Sequence, residues 1–274
     1  MKRFNLGFMQ GRLVDSEKKG RIQFFPANNW VKEIKIAHNL GFQFMEWTID
    51  DDNLSKNPIY NGNIKNLKKI LTKYKFKIPS ITLDYFMQKP FFKANLKNRK
   101  IIINNLEKIF KNGRKIGIKK YIIPLVDNSS IENIIEENDL IIQLKKISRK
   151  FNTAQFLFES DYKPNKLLNF IKKFKSKKFG INYDTGNSAS LGYDFSEEKV
   201  YFKYVKNIHI KDRKKKSTTV RLGQGNWNYK KFFNFIRKKK YSGNFILQTA
   251  RSNKKKHIEE ILINKNFFEK HYFE

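Results

Sequence analysis

The sequence predicts an α/β protein whose eight parallel strands close into a (β/α)8 barrel, a single domain spanning residues 1–274. Short apolar runs rich in Phe and Ile alternate with longer lysine-studded segments of helical period, which is typical of repeated βα units around a parallel sheet. Eight such units need roughly 250 residues. An open doubly wound sheet would place a glycine-rich phosphate loop after the first strand, whereas this turn reads Gly7-Phe-Met-Gln-Gly-Arg12. The barrel is therefore the predicted fold class.

Eight apolar runs are predicted to form the barrel strands. Each is short, is rich in β-branched or aromatic residues, and is followed by a longer segment of helical character. In chain order they are Asn5–Met9, Phe44–Trp47, Ile78–Leu83, Tyr121–Pro124, Gln155–Glu159, Phe179–Asp184, Asn207–Lys211 and Phe245–Thr249.

The segments between the strands have the period of amphipathic helices. Ile64, Leu67, Ile70 and Leu71, for example, form an apolar stripe suited to packing on a sheet. Pro164 is placed where proline is tolerated, in the first turn of a helix. The predicted helices are Trp30–Leu40, Gly62–Tyr74, Lys97–Ile116, Ile131–Lys150, Pro164–Phe174, Glu197–Tyr204, Tyr229–Lys238 and a last one near Lys255–Phe268.

The formal net charge of +33 raises the hypothesis of a nucleic-acid partner, because Lys and Arg neutralise phosphates. The excess is mostly lysine, 48 of the 58 basic residues, and it is scattered through every predicted helix. Asn, Ile, Phe and Tyr are also abundant, a pattern that an AT-rich genome gives to any fold. The basic runs Arg213–Lys216, Lys238–Lys240 and Lys254–Lys256 lack the interleaved aromatic residues of a single-strand binding groove. We expect no nucleic-acid partner, while a general attraction to anionic substrates stays open.

The absence of cysteine excludes a disulfide framework, a thiolate zinc site, an iron–sulfur cluster and a cysteine nucleophile. The apolar stretch behind Met1 ends at Gln10-Gly-Arg12, which is too short for a signal-peptide core or a membrane span. We therefore expect a cytoplasmic protein without a membrane partner.

Four of the predicted strands end in a polar side chain with metal-binding chemistry: Glu159, Asp184, His209 and Gln248. The carboxyl ends of barrel strands converge on one face, and that face carries the active site. A Glu, an Asp and a His that meet there would form an oxygen and nitrogen site suited to a divalent cation. Gln248 stands where a third carboxylate would be the natural choice.

Each of these residues also has a structural interpretation. Glu159 can cap the next helix, Asp184 can form an Asx turn with the residues that follow it, and Gln248 can be a polar residue of the barrel mouth. His209 is one of four histidines in the chain, and the other three lie in helix-like segments. Its position at a strand end favours a ligand.

The order of several short motifs resembles that of the xylose-isomerase-like TIM barrels, which include sugar isomerases and epimerases, inosose dehydratases and a branch of DNA-repair endonucleases. The resemblance spans the chain from about Leu6 to Arg251. It is carried by Gly7–Leu13, Met45–Trp47, Asp184-Thr-Gly-Asn187, His209-Ile-Lys-Asp212, Arg221-Leu-Gly-Gln-Gly225 and Ile246–Arg251.

The resemblance implies one divalent metal ion held by Glu159, Asp184, His209 and Gln248, with Mn²⁺ or Mg²⁺ favoured over Zn²⁺ because the ligands are rich in oxygen. In these proteins the metal polarises the sugar carbonyl and a carboxylate beside it moves the proton of the neighbouring carbon. Glu159 and the residue at position 248 are then the catalytic pair.

Three further residues match substrate-contacting positions of the resembled proteins: Glu46, Asn187 and Arg221. Glu46 is alternatively expected to orient the catalytic groups. Gln10, Arg12 and Tyr85 lie at further predicted strand ends and are candidate lining residues of the pocket.

These residues imply a metal-dependent isomerase or epimerase that acts on a small carbohydrate. Gln248 is neutral and cannot accept a proton, so metal binding should be weaker and a symmetric two-base epimerisation loses one base. Isomerisation by Glu159 with a water or a neighbouring carboxylate stays open, as do a polyol dehydratase and a catalytically degenerate sugar-binding or regulatory barrel. A DNA-repair site needs several histidine ligands, which the chain does not supply at its strand ends. A homo-oligomer is compatible with the resemblance.

Overall fold

The computed structural model describes residues 4–16, 20–252 and 254–274, and in it eight parallel strands close into a barrel. The order around the barrel follows the chain, so the last strand pairs with the first and the predicted fold class is confirmed. The barrel strands are β1 (Asn5–Met9), β2 (Phe44–Thr48), β3 (Lys77–Thr82), β4 (Lys120–Leu125), β5 (Gln155–Ser160), β6 (Phe179–Asp184), β7 (Val205–Ile210) and β10 (Asn244–Leu247), and a small antiparallel hairpin, β8 (Asp212–Arg213) and β9 (Thr219–Val220), follows β7.

Helices connect the strands, as the apolar periodicity predicts. They are α1 (Trp30–Asn39), α2 (Pro58–Asn61), α3 (Ile64–Lys73), α4 (Asp84–Gln88), α5 (Leu96–Lys115), α6 (Ile134–Lys150), α7 (Pro164–Lys172), α8 (Thr185–Leu191), α9 (Phe195–Glu198), α10 (Tyr229–Lys238) and α11 (His257–Phe273). In the described ranges, none of them combines the length and apolar character needed to cross a membrane.

The helix predicted at Glu197–Tyr204 is wrong in type, because α9 ends at Glu198 and a 3-10 segment continues over Lys199–Tyr204. Its adjacent residues Tyr201 and Phe202 are both buried. Residues 200–202 are β-branched or aromatic and lose side-chain freedom in an α-helix, and a 3-10 run is a common continuation at a helix end. Helices α4 and α8 and the β8–β9 hairpin were not predicted, and all three border the barrel mouth.

The barrel interior changes from apolar to polar toward the carboxyl ends of the strands. Along β7, Ile208 and Ile210 alternate with Asn207 and His209, and all four are buried. Side chains of a strand alternate between two faces, so Asn207 and His209 share one face of the sheet. On β6, Asn182 stands two residues before Asp184, so these two side chains also share one face of the sheet.

Gly7 allows β1 and β2 to approach closely. A Cβ atom at this position would lie 2.3 Å from the Phe44 ring and 2.9 Å from the Phe44 carbonyl oxygen. Gly180 on β6 is less confined, because a Cβ atom there would meet its nearest neighbours at 2.9–3.0 Å, one of them the flexible Lys206 side chain.

We expect Gly7→Ala to lower the free energy of unfolding by about 1–3 kcal/mol, since an added methyl group forces the β1–β2 contact apart. Gly180→Ala is the matched control and should cost less. Urea unfolding followed by circular dichroism measures both variants. Equal losses in the two would contradict the close packing assigned to Gly7.

Candidate active site

Three predicted ligands meet at the carboxyl ends of adjacent strands: Glu159 on β5, Asp184 on β6 and His209 on β7. One ligand atom of each lies within 4.8 Å of the others. The strand register explains the meeting of two of them, because Asp184 and His209 are paired residues of neighbouring strands. Their exposed fractions are 6%, 4% and 0%, so the cluster is nearly closed to bulk water.

The two ring nitrogens of His209 face different partners. Nε2 lies 2.7 Å from Oε1 of Glu46, whereas Nδ1 lies 3.1 Å from Glu159 Oε2 and 3.9 Å from Asp184 Oδ2. If Nε2 donates its proton to Glu46, the lone pair of Nδ1 faces the two other ligands. A carboxylate that orients a histidine in this way is a common partner of metal-bound imidazole.

Glu46 lies wholly buried inside the barrel rather than facing a substrate, although it was predicted to contact one. Its carboxylate accepts hydrogen bonds from Ser80 at 2.7 Å, from Asn207 at 3.0 Å and from Thr82. Burial alone would raise the pKa of Glu46, but His209 and these donors lower it below its ordinary value. Glu46 therefore positions His209, which is the alternative role expected for it.

The charges of the cluster depend on each other. Burial would lower the pKa of His209, but Glu46 and Glu159 outweigh it and raise that pKa to about 10. Burial would likewise raise the pKa of Glu159, and contacts with His209 lower it instead. For Asp184, burial dominates and raises the pKa, with Lys211 acting against it. Without a cation, a protonated His209 balances Glu46 and Glu159.

Two asparagines connect the ligands and were not predicted from the sequence. Asn182 donates to Glu159 Oε2 at 2.9 Å and lies 3.0 Å from His209 Nδ1. Asn207 donates to Glu46 and, at 2.8 Å, to the side-chain oxygen of Asn182. Each stands two residues before a predicted ligand, so the two-residue period of a strand was a signal that could have identified them.

Asp184 is both a helix cap and a ligand candidate, with one oxygen for each role. Its Oδ1 accepts hydrogen bonds from the backbone N–H groups of Gly186 and Asn187 at 2.8 and 2.9 Å, which caps the N-terminus of α8. Its Oδ2 lies 3.4 Å from Lys211 Nζ. The side chain of Asn187, a predicted substrate-binding residue, donates to Glu159 Oε1 at 2.8 Å.

The amide of Gln248 is oriented by a chain of hydrogen bonds. Its Nε2 donates to Gln23 Oε1 at 2.6 Å, and Gln23 Nε2 donates in turn to Asp84 Oδ1 at 2.8 Å. Since the Asp84 carboxylate accepts, Gln23 must present its oxygen to the amide nitrogen of Gln248. The Oε1 atom of Gln248 is then buried without a hydrogen-bond partner among the described residues.

The donor set fits a divalent cation. Two carboxylates, one imidazole nitrogen and one amide oxygen match the oxygen-rich coordination of Mg²⁺ or Mn²⁺. A buried carbonyl oxygen without a partner is costly, and coordination would satisfy Gln248 Oε1.

Arg221 is not brought to this cluster. Its guanidinium forms two hydrogen bonds with Glu260 of α11, at 2.9 and 2.7 Å. The glycine-rich residues after it instead hold the loop in place: Asp212 accepts from the backbone N–H groups of Gly223 and Gly225 at 2.9 Å each. A Cβ atom at Gly225 would lie 2.1 Å from Asp212 Oδ1, so this position requires glycine.

A cavity of about 720 Å³ at the barrel mouth reaches the cluster through Glu159. That volume suits a small ligand such as a sugar. Its charged and polar lining residues include Arg12, Asp84, Glu159, Lys211, Lys216 and Gln248. Arg12 was a candidate lining residue and is fixed by hydrogen bonds to the carbonyl oxygens of Thr249 and Ile22 at 2.9 and 2.6 Å. Lys211, Lys216 and Asp84 were not singled out from the sequence.

A second buried carboxylate supports α8 from behind. Glu198 accepts hydrogen bonds from Tyr183, Ser188 and Tyr201 at 2.5, 2.6 and 2.9 Å. Burial is the main cause that raises the pKa of Glu198 to about 7, and the three donors act against it. Tyr183 and Ser188 flank Asp184, so this network fixes the helix that begins at a ligand.

Residues 34–267 match the model of a protein family described as xylose isomerase-like TIM barrel. A protein of Haemophilus influenzae named “Putative L-ribulose-5-phosphate 3-epimerase SgbU” is 23% identical over 264 residues, covering 86% of this chain and 90% of that protein.

Three solved structures share the fold over nearly all of this chain. An L-ribulose 3-epimerase has a TM-score of 0.76 at 13% identity, covering 98% of this chain and 95% of that one. The IOLI protein with a bound zinc atom has a TM-score of 0.75 at 14% identity, covering 98% of both chains. A xylose isomerase-like TIM barrel protein of Mycobacterium smegmatis in complex with magnesium has a TM-score of 0.70 at 15% identity, covering 98% and 96%.

We expect Glu198→Gln to become more stable relative to the natural chain as the pH rises from about 4.5 to 7. Glu198 has a raised pKa in the folded state, so its contribution to stability is complete below the unfolded value and is lost as the pH approaches 7. The full change is about 3 kcal/mol. Urea unfolding at pH 5 and pH 8 measures it, with the exposed Glu197→Gln as the control. If the free energies of unfolding of Glu198→Gln and the natural chain differ by the same amount at both pH values, Glu198 does not titrate in this range.

Proposed function

Because the chain belongs to the xylose isomerase-like TIM barrel family, we propose that it is a metal-dependent isomerase or epimerase of a small sugar or sugar derivative. The observation that carries the proposal is the cluster of Glu159, Asp184 and His209, together with a mouth cavity that is lined by both Glu159 and Gln248. The carbonyl oxygen of Gln248 accepts no hydrogen bond from a described residue. The sugar epimerases among the relatives support the reaction class.

The residues that would hold the cation are Glu159, Asp184, His209 and Gln248. When bound, a divalent cation would polarise the substrate carbonyl and acidify the neighbouring C–H bond. The oxygen-rich set favours Mn²⁺ or Mg²⁺ over Zn²⁺, and relatives of the same fold are described with magnesium and with zinc.

Glu159 is the proposed base. The amide groups of Asn182 and Asn187 each donate to one of its oxygens, which holds the carboxylate in one orientation. Without a cation, contacts with His209 lower the pKa of Glu159 despite its burial. A bound cation would supply the positive charge in place of a protonated His209 and would keep the carboxylate ionised. The nearly closed cluster excludes water from the proton that is moved.

The rim of the cavity suits a substrate with an anionic group, and we include a phosphorylated sugar in the proposal. Lys216, Ser217 and Thr218 lie at the exposed turn between β8 and β9 and line the cavity beside Arg213. A lysine with neighbouring hydroxyl groups can bind a phosphate. The Haemophilus influenzae relative is named for a phosphorylated pentose, which supports this choice.

Metal binding is the first test. We expect Mn²⁺ to bind the natural chain at one site in isothermal titration calorimetry. The Glu159→Ala variant should lose this binding. The Gln248→Glu variant should bind Mn²⁺ roughly tenfold or more tightly, because a charged ligand replaces a neutral one. Arg221→Ala, whose side chain pairs with Glu260, is the control and should bind as the natural chain does.

Two outcomes of this titration would contradict the proposal. Mn²⁺ binding only in Gln248→Glu would indicate a barrel of this fold that has lost its catalytic site. Absence of Mn²⁺ binding in every variant would show that these residues do not form a metal site. With binding established, pentoses, ketopentoses and their phosphates are screened by proton NMR in D2O for exchange of a carbon-bound proton.

The anionic rim has its own test. We expect Lys216→Ala to raise KM for a sugar phosphate about three- to tenfold without changing kcat, a loss of roughly 1 kcal/mol for one exposed charged contact. Lys238→Ala, which removes the same charge from the exposed end of α10, is the matched control. Equal KM values for the two variants would show that Lys216 does not contact the phosphate.

A further inference from the structure

We propose that Asp84 is the second acid–base residue of this site and supplies the carboxylate that Gln248 lacks. The proposal rests on the isomerase or epimerase function proposed above and names the group that completes it. Asp84 is the first residue of α4 and is separated from the end of β3 by Leu83 alone.

Asp84 reaches the same cavity as Glu159. Both residues line the cavity at the barrel mouth, and Asp84 is 6% exposed. Backbone hydrogen bonds fix its surroundings, since the N–H group of Leu83 donates to Ile122 and that of Tyr85 donates to Ile49, at 3.0 and 2.8 Å. The carboxylate is therefore held on rigid elements rather than on a mobile loop.

Only one oxygen of Asp84 is engaged in a hydrogen bond. Oδ1 accepts from Gln23 at 2.8 Å, and no described residue donates to Oδ2. Gln23 also accepts a hydrogen bond from Gln248, so one side chain alone links Asp84 to the position where a second base is missing. Asp84, Gln23 and Gln248 all line the same cavity, so a substrate bound there has the Asp84 carboxylate among its neighbours.

Asp84 and Glu159 approach the cavity from different sides. Glu159, Asp184 and His209 stand on the consecutive strands β5, β6 and β7. The hydrogen-bonded chain from Asp84 to Gln248 joins the ends of β3 and β10, which stand on either side of this group: β4 alone separates β3 from β5, and β10 pairs with β7. Inversion at a substrate carbon requires a second acid–base group on the face that Glu159 does not reach, and Asp84 enters the cavity from a different strand end.

The surrounding charges suit proton transfer in both directions. Burial raises the pKa of Asp84 to about 7; Asp50 and Glu159 add to this, while the Gln23 hydrogen bond and Arg12 act against it. Asp50 has its own donors in the backbone N–H groups of Phe25 and Asn53, at 2.7 and 2.9 Å. Both protonation states of Asp84 are thus populated near neutral pH.

The step balances without a further reactant. The Glu159 carboxylate takes the proton from the carbon next to the carbonyl, the C–H electron pair forms a carbon–carbon double bond, and the carbonyl π pair moves onto oxygen. The protonated Asp84 then gives its proton to the opposite face of that carbon, and the carbonyl re-forms. The two carboxyl groups have exchanged protonation states, which solvent restores.

The test combines Asp84→Asn, Gln248→Glu and the double variant. In Asp84→Asn the amide oxygen can still accept from Gln23, so the hydrogen-bonded chain is kept while the base is removed. We expect Asp84→Asn to lower kcat about 100-fold or more for the sugar identified in the NMR screen, with KM and Mn²⁺ affinity within about threefold of the natural chain. In the double variant, kcat should be at least tenfold higher than in Asp84→Asn, because the carboxylate introduced by Gln248→Glu restores a base on the same side of the substrate. Asp127→Asn, an exposed carboxylate at the cavity rim, is the control.

Four outcomes would overturn the assignment. Full activity in Asp84→Asn would show that no proton passes through this residue. A parallel loss of Mn²⁺ affinity would show that Asp84 acts on the metal site through Gln23, and a double variant without recovery would show that it only positions its neighbours. Absence of turnover in the natural chain and in Gln248→Glu would overturn the isomerase or epimerase function and this assignment with it.

Discussion

The active-site face depends on one interaction, the buried His209 imidazole held between Glu46 and Glu159. Burial of an imidazole and two carboxylates is costly unless every polar atom has a partner. The barrel interior supplies those partners: Ser80, Thr82 and Asn207 saturate Glu46, and Asn182 and Asn187 do so for Glu159. The polar layer of the barrel is thus a consequence of placing His209 there, and it selects which ring nitrogen faces the cation.

The sequence alone was sufficient for the barrel and for the place of the three clustered ligands, because strand periodicity and the convergence of strand ends are local and general rules. It was not sufficient for Arg221, since its partner Glu260 lies on a helix 39 positions away and no local pattern records that pair. Glu46 was placed on the correct strand, although it is the middle residue of β2 rather than its end, and only the closed barrel shows that β2 and β7 direct Glu46 and His209 toward each other. Asp84 was not predicted because the short helix α4 that it begins was not recognised and because its partner Gln23 lies 61 positions away, a contact that no local pattern records.

In the proposed metal site, Gln248 would contribute an oxygen atom but no charge. Its carbonyl oxygen accepts no hydrogen bond from a described residue, so a neutral ligand would stand where a third carboxylate would add negative charge around the cation. Lys211 at 3.4 Å from Asp184 offsets part of the remaining charge. A site of this kind should hold its cation more loosely than one with three carboxylates, and it should depend more on the substrate's own oxygens to complete the coordination. Metal and substrate binding would then be coupled, each strengthening the other by the same factor.

The large positive charge of the chain affects the binding of a metal cation and the binding of an anionic substrate in opposite ways. A net charge of +33 attracts anions toward the mouth and repels cations, but mobile ions screen both effects beyond about 8 Å at physiological ionic strength. Glu159, Asp184 and His209 are almost fully buried, so their field on a cation is screened far less than that of the surface lysines. Under the proposed function, the local ligands would therefore determine whether a cation binds, whereas the exposed rim around Lys216 would govern how fast an anionic substrate arrives. Added salt should slow substrate capture more than it weakens metal binding, which separates the two functions of the mouth within one fold.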